Sequence, residues 1–520
     1  MLPGLKRFYA KIRSQGSFRH DAEEGQPAQT PIPPDLDAVG RQIGDTIGNS
    51  SDLVMRRIPV DGGPAVLIVS IDGLCDKNLL DRDVVGQLMA YHPAQGAQSS
   101  FPSCLKDKLL RICSIKETAD FGTAVIAALS GNAVLFTAGA TNAFLLGIRK
   151  SEKRTPSEPR TSTVLRGPRE GFVESIQVNQ SLIRRKIVNP ALRFEPFTIG
   201  EQTKTRVELC YLCNVANGQI VDEVRRRISD IKTDSILESA YIESFLEDAP
   251  FSLFETVGNT ERPDTAASKI LEGRVAILCD GTPFVLTLPH LFVENLQAGD
   301  DYYSRPAVSF FGKMIRILGF WLTLYLPALY VSFTCFNQGA IPFKLLVTIY
   351  SAHANIPTGV FVSCLFVLFL FAVIKETASL LPRPVAQSIS VVGGIVVGQA
   401  VVMAGFVSIP TVIVIAITVL TGYGIPELDR PISIVRLLLL IGANVAGNFG
   451  IIFISVVFLA YVCSLKSVGI PYLSPIAPLC GYDLKDVFFS FPVWAVFRKP
   501  ETITRKFIED QRKSGGTRKK

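Results

Sequence analysis

Apolar positions fall in short runs between polar turns over the first 300 residues, and in long uncharged blocks beyond residue 313. In the first part, periods of two and of 3.6 residues separate strands from helices. DLVMRRIPV and PAVLIVSIDGL predict strands, the second apolar enough to be buried on both faces. Helices are predicted over Asp81–Tyr91 and Glu117–Ser130, and a hairpin joins 132–138 to 142–148 across Gly139-Ala140-Thr141. From Gly171 the pattern starts again: a helix over Phe172–Ile187, strands over Leu192–Ile199 and Arg206–Val215, helices over Ile220–Ile231 and Asp234–Asp248. A second hairpin, Arg274–Cys279 with Phe284–Leu288, turns on Asp280-Gly281-Thr282-Pro283. Strand, strand, helix, helix, hairpin appears twice, which points to a duplication visible in pattern and not in residue identity.

Beyond Lys313, Ile317–Cys335 and Ala354–Ile374 are each long enough to cross a bilayer core of ~30 Å. Pro384–Pro426 contains no charged residue or histidine in 43 positions and predicts two helices broken at Gly405–Pro410. The first of these carries Gln387, Gly394, Gly398 and Gln399, and Gly394 with Gly398 forms a small-xxx-small pair for close helix approach. Glutamines in hydrocarbon must face protein or water, so this is expected to be an inner helix. Gln387, Gly394, Gly398 and Gly405 fall roughly on one face, but Gln399 cannot join Gln387 there, since twelve residues turn a helix by ~120° beyond three full turns. Leu437–Leu465 is uncharged for 29 residues and interrupted by Gly442, Asn444, Gly447, Asn448 and Gly450, the pattern of a broken or re-entrant helix. Both chain ends are expected on the cytoplasmic side, which requires an extra pass hidden in 437–465 or 341–356.

Composition sharpens this division. The chain is 48% hydrophobic, with mean hydropathy +0.32 and net charge +7. Charged residues crowd into the first 310 positions and the last 55. The expected organisation is a basic, Pro-rich disordered arm (1–45), a first α/β subdomain (46–150), a linker (151–170) and a second α/β subdomain (171–305). An all-α polytopic membrane domain (306–466) and a basic cytoplasmic tail (467–520) follow. In fold class this is a mixed α+β or α/β cytoplasmic region ahead of a helical membrane domain. Eleven Lys or Arg between 466 and 520 suit anionic membrane lipid, and without interleaved aromatics they argue against nucleic acid. The start, MLPGLKRFYAKIRSQGSFRH, has no apolar core of a secretory signal. Cys210 and Cys213 have C-x-x-C spacing without a second pair, so they are expected in the core.

No phosphate-binding glycine loop, zinc-protease motif or nucleophile elbow appears. The four histidines are dispersed. Asp72-Gly73 suits a turn. No catalytic residue, metal or cofactor is predicted.

One set of motifs reaches further. Arg166-Gly167-Pro168-Arg169-Glu170-Gly171-Phe172 is followed by VESIQVNQSLIRRKI. In order come Glu261-Arg262-Pro263-Asp264, LEGRVAILCDGTPFVLTLP, Asp301-Tyr302-Tyr303, LeuProArgPro at 381–384, Val468 to Pro475 and Asp483 to Asp486. Over about residues 50 to 500 the chain resembles the A subunits of spore germination receptors, the GerA family. The resemblance implies a germinant receptor subunit in the spore inner membrane, working with a permease-like B subunit and a lipoprotein C subunit. It also implies a homo-oligomer, a pentamer, forming a ligand-gated cation channel. Members of the family often carry carboxylates where this chain has Leu368, Ala372 and Met403, and only Glu376 remains of that set. Alternatives left open by the residues are a transporter-like scaffold and a membrane-anchored sensor without a pore. The site expected from this reading comprises Gln387, Gly394, Gly398, Gln399, Met403 and Gly405 on the inner helix, the 166–172 motif at a subdomain junction, and Asn444 and Asn448 in the broken helix.

Overall fold

Two five-stranded antiparallel sheets and a helical bundle make up the computed structural model. It describes residues 30–61, 63–91, 114–150, 159, 164, 166–354, 356–381, 394, 398–480, 483, 487 and 503. The first unit runs α1 (Leu36–Ile43), β1 (Leu53–Ile58), β2 (Val66–Ile71), α2 (77–89), β3 (Ile115–Thr118), α3 (Phe121–Leu129), β4 (Ala133–Thr137) and β5 (Ala143–Leu146). The second runs α4 (Ile176–Lys186), β6 (Leu192–Ile199), β7 (Thr205–Leu212), α5 (Gly218–Asp230), α6 (Ser239–Leu246), β8 (Gly258–Thr260), α7 (Pro263–Leu271), β9 (Val275–Cys279) and β10 (Val285–Leu288). Strand order is β1-β2-β4-β5-β3 in one sheet and β6-β7-β9-β10-β8 in the other. These are the same path.

Both sheets are covered on both faces, so each unit has three layers. Leu67, Val69 and Ile71 of β2 pack under α1 and α3, while Val66 and Ile68 pack under α2. In the second unit α4 and α7 cover one face, and α5 and α6 the other. Alternate side chains of a strand point to opposite faces, which is why apolar runs without alternation mark these doubly covered strands.

Several expectations need correction. The arm placed over 1–45 is folded from residue 36. Leu36, Val39 and Ile43 of α1 are buried on the first sheet, and Asp35 caps the helix by accepting from the Asp37 and Ala38 amides at 3.2 Å. The preceding Pro-rich stretch conceals this two-turn helix. Glu117 and Thr118 are not helical: they end β3, and α3 begins after the Asp120 cap, whose carboxylate accepts from the Thr123 amide at 2.8 Å. Strands β3 and β8 go unpredicted because one is a half-exposed edge of four residues and the other has three.

The bundle comprises α8 (Asp300–Tyr303), α9 (Pro306–Cys335), α10 (Phe343–His353), α11 (Val360–Leu380), a turn of helix at 398–403, α12 (Ile409–Gly422), α13 (Pro426–Ala446) and α14 (Asn448–Ser464). Helices α9 and α11 are long and apolar enough to cross a membrane; α12 and α14 are apolar but shorter. Hydrogen bonds set the directions. Thr323 meets Thr421 (2.9 Å) and Tyr330 meets Thr411 (3.2 Å), so α12 runs against α9. Tyr325 donates to Ser455 (3.0 Å) and Ser332 to Asn448 (2.6 Å), so α14 does too.

The uncharged stretch over 437–465, expected as a broken or re-entrant helix, belongs to two helices that meet at Gly447. Gly447 has φ +58°, open to glycine, and the chain reverses there. Gly442 and Gly450 form the crossing: a Cβ on Gly442 would lie 3.1 Å from the Gly450 carbonyl oxygen. Helix α13 therefore starts at Pro426 and carries Glu427, Asp429, Arg430 and Arg436. The tail placed from residue 467 is also anchored at its start. Lys466–Ser467 (β11) pairs with Ile470–Pro471 (β12), and Val468 and Ile470 enter the core of the second unit.

Candidate functional site

The predicted site residues are spread over three places. Gln387 lies outside the described residues. Gly394 and Gly398 line a small apolar cavity with Val367, Phe371, Val401 and Val412, and no described atom comes within 4 Å of a Cβ built on either glycine. Gln399 and Met403, four residues apart, are exposed. Gly405 ends this helix with φ +69°, and Ser408 caps the next. Of the positions where the resemblance implies acids, Leu368 is half-buried against the bundle core and Ala372 is exposed; Glu376 is exposed too. Asn448 accepts from Ser332, whereas Asn444 is exposed.

The 166–172 motif packs where the second unit leads into α9. Its Phe172 amide donates to the Glu261 carbonyl (2.8 Å), and its Pro168 carbonyl accepts from Arg262 (3.3 Å). Gly167 lies against the Tyr303 ring, and Arg166 donates its amide to Asp300 (3.4 Å). Arg262 holds Asp264 with two hydrogen bonds of 3.1 and 2.6 Å, and Tyr303 donates to the same carboxylate. Three motifs separated by some 40 to 100 residues thus close into one knot just before α9.

A second polar cluster sits beneath the bundle, and no local pattern in the chain marks it as a unit. The buried Glu294 carboxylate pairs with Arg274 and with Lys269 (3.0 Å). Burial alone would raise its pKa, but Arg274 and Lys269 outweigh burial and hold it well below the usual carboxylate range. His290 Nε2 donates to Asn295 Oδ1 (2.9 Å), and Asn295 Nδ2 donates to the Tyr472 hydroxyl (3.0 Å). The His290 amide donates to Ser467 (3.0 Å), whose hydroxyl donates to the Thr256 carbonyl (2.6 Å). Tyr472, fully buried, is ringed by Phe254 (6.4 Å) and Phe292 (6.0 Å), and Phe292 touches Phe320 of α9 edge-on at 5.7 Å. The segment after β10, the first long helix and the returning segment after α14 share one core here. The arrangement joins the second α/β unit to the helical bundle. Arg274 and Lys269 lie in or beside a stretch legible as a strand and Tyr472 in a motif, but His290, Glu294 and Asn295 follow the end of the 271–289 motif, and partners such as His290 and Ser467 are 177 residues apart.

The fold and this junction define a two-part protein, a duplicated α/β module welded to an apolar helical bundle. The chain belongs to the family described as Bacillus/Clostridium GerA spore germination protein, whose model matches residues 41–502. It is 36% identical over 476 residues to spore germination protein KA of Bacillus subtilis, covering 90% of this chain and 87% of that protein. Spore germination protein GerLA of Bacillus cereus is 33% identical over 90% of this chain and 95% of its own length. An uncharacterized membrane protein of Bacillus subtilis, YfkQ, is 35% identical over 91% and 92%. Among solved structures, the N-terminal domain of the A subunit of the Bacillus megaterium spore germinant receptor GerK3 matches with 30% identity and TM-score 0.38. That match covers 51% of this chain and 98% of the other.

Proposed function

We propose that this chain is the A subunit of a nutrient germinant receptor of endospores, working with a permease-like B subunit and a lipoprotein C subunit. Its α/β units lie in the cytoplasm, and its bundle crosses the spore inner membrane. Helices α12 and α14 run against α9, and on this reading six crossings return the chain to the side of the second unit. Copies assemble as a ring, a pentamer, with the stretch 385–405 near the axis, and form a ligand-gated cation channel. The observation that carries the reading is the shared core at Tyr472, through which a change in the α/β units reaches α9 and α14 together. Exposed Gln399 and Met403 suit a helix whose outward face meets other copies or the axis.

The test is Gly398→Leu in spores of the source organism, with nutrient-triggered cation release as the readout. Slowed or lost release supports the inner-helix role; unchanged release removes it. The breaks at Gly405 and Gly447 also fit a transporter-like scaffold, since interrupted helices mark such folds. Native mass spectrometry separates the two: a stable monomer favours the scaffold, and a ring favours the channel.

A further inference from the structure

The turn between α6 and β8 carries an aromatic ring that no described residue covers. Phe251 is fully exposed, and Leu253 two residues on is over a third exposed. Exposure here does not come from a loose loop. Arg227 pairs with Asp248, and the Gly469 amide donates to the same carboxylate at 3.0 Å. Ala249 packs on the bundle core. The Ser252 hydroxyl lies 3.1 Å from the Tyr461 hydroxyl, which accepts the Leu253 amide at 2.8 Å, and Phe254 inserts beside the Tyr461 ring. The turn is therefore pinned to the last full turn of α14, with Phe251 aimed away from the core.

The outward face of α14 says what covers it. Phe449, Ile452, Phe453, Val456, Val457 and Leu459 are all exposed and uninterrupted by charge, the face a spanning helix gives to lipid. Tyr461 stands where that face ends. Tyr and Trp concentrate at this depth, and the Phe and Leu side chains of interfacial segments seat at the headgroup–acyl boundary while neighbouring polar groups stay wet. We propose that the 248–253 turn is a membrane-interface anchor, with Phe251 and Leu253 seated among lipid headgroups and upper acyl chains. The inference rests on the membrane reading above and adds that the second α/β unit touches the bilayer itself. The anchor is apolar. The acids Glu243, Glu247 and Asp248 lie close by in the chain, so the seating rests on the apolar side chains.

The full chain has two tryptophans, Trp321 and Trp494. The experiment places Phe251→Trp in a Trp321→Phe/Trp494→Phe background, in phosphatidylcholine nanodiscs brominated near the top or deep in the acyl chains. The indole introduced at position 251 is then the sole emitter. A companion Trp494→Phe variant keeps only Trp321, which is exposed on α9. The anchor predicts that shallow bromines remove about half of the emission from position 251 and deep bromines less, as for a ring ~5–10 Å into the headgroup boundary. Quenching of Trp321 without quenching at position 251 overturns the anchor and leaves the membrane reading standing. Trp321 unquenched overturns both. An indole at position 251 shielded from bromine and from aqueous iodide alike means that a second copy covers the turn, which also overturns the lipid assignment.

Discussion

The two α/β units share a strand order and differ in where their last hairpin leads. In the first unit the chain leaving β5 folds back on its own sheet: the Asp76 amide donates to the Ile148 carbonyl at 3.0 Å, and Cys75 and Arg149 form an isolated antiparallel bridge. In the second, the chain leaving β10 runs under the bundle, where the Phe292 amide donates to the Tyr472 carbonyl at 2.9 Å. A buried set of contacts ties the first unit to the second. Arg184 of α4 grips Asp52 with two hydrogen bonds of 2.9 Å, both side chains almost wholly buried, while Ser51 and Gln180 donate to the buried Glu208. The two units repeat one strand order, and among the described residues the copy next to the helices carries the aromatic and charged side chains that pack beneath the bundle.

Breaking the tie between the units should have the largest effect. Arg184→Met strands the Asp52 carboxylate in the interior and is expected to cost about 3–5 kcal/mol, read as a loss of denaturation midpoint. Adding Asp52→Leu should recover most of that loss, because no uncompensated charge remains. A single variant that melts like the parent would mean the units hold together by other means. The bundle offers a matched pair of smaller changes. Gly450→Ala drives a methyl into the Gly442 carbonyl at the α13–α14 crossing and should cost about 1–3 kcal/mol in detergent. Gly398→Ala meets open space and should be neutral or stabilising by up to ~1 kcal/mol. Equal effects would show that crossing and cavity are packed alike. The smallest expected effect concerns acidity in the second unit. Burial, with Glu255, Glu247 and Glu238 nearby, pushes the Glu243 carboxyl up to about 8. A raised carboxyl binds its proton more tightly when folded, so its contribution is complete at acid pH and fades as pH climbs from 4.5 through about 8. Glu243→Gln should flatten the melting temperature over that window, and an unchanged slope would assign the titration elsewhere.

Much of this contrast is legible in the chain and its key part is not. Doubly apolar strands such as VLIVSI announce covered sheets, and the repeated order of elements announces the duplication. The break at Gly405 is visible from glycine and proline alone. Strands β3 and β8 are invisible because an edge strand of three or four residues has no room for a period. Charges at Asp429 and Arg436 conceal the start of α13, although Asp429 is paired with Lys375 of α11 in the fold. The junction at Tyr472 escapes for a different reason. His290, Glu294 and Ser467 are ordinary polar residues in their own neighbourhoods, and only the fold brings their stretches together. The motifs at 166–172, 261–264 and 301–303 mark important positions without indicating that they touch one another.

The core around Tyr472 is held to transmit between the α/β units and the bundle, and one measurement addresses that claim directly. Spores carrying Tyr472→Ala, with the subunit present in the inner membrane at the parental level, are exposed to nutrient and their cation release is followed. Transmission through this core predicts release that is lost or strongly delayed although the protein is folded and in place. Release with parental timing and extent would contradict it.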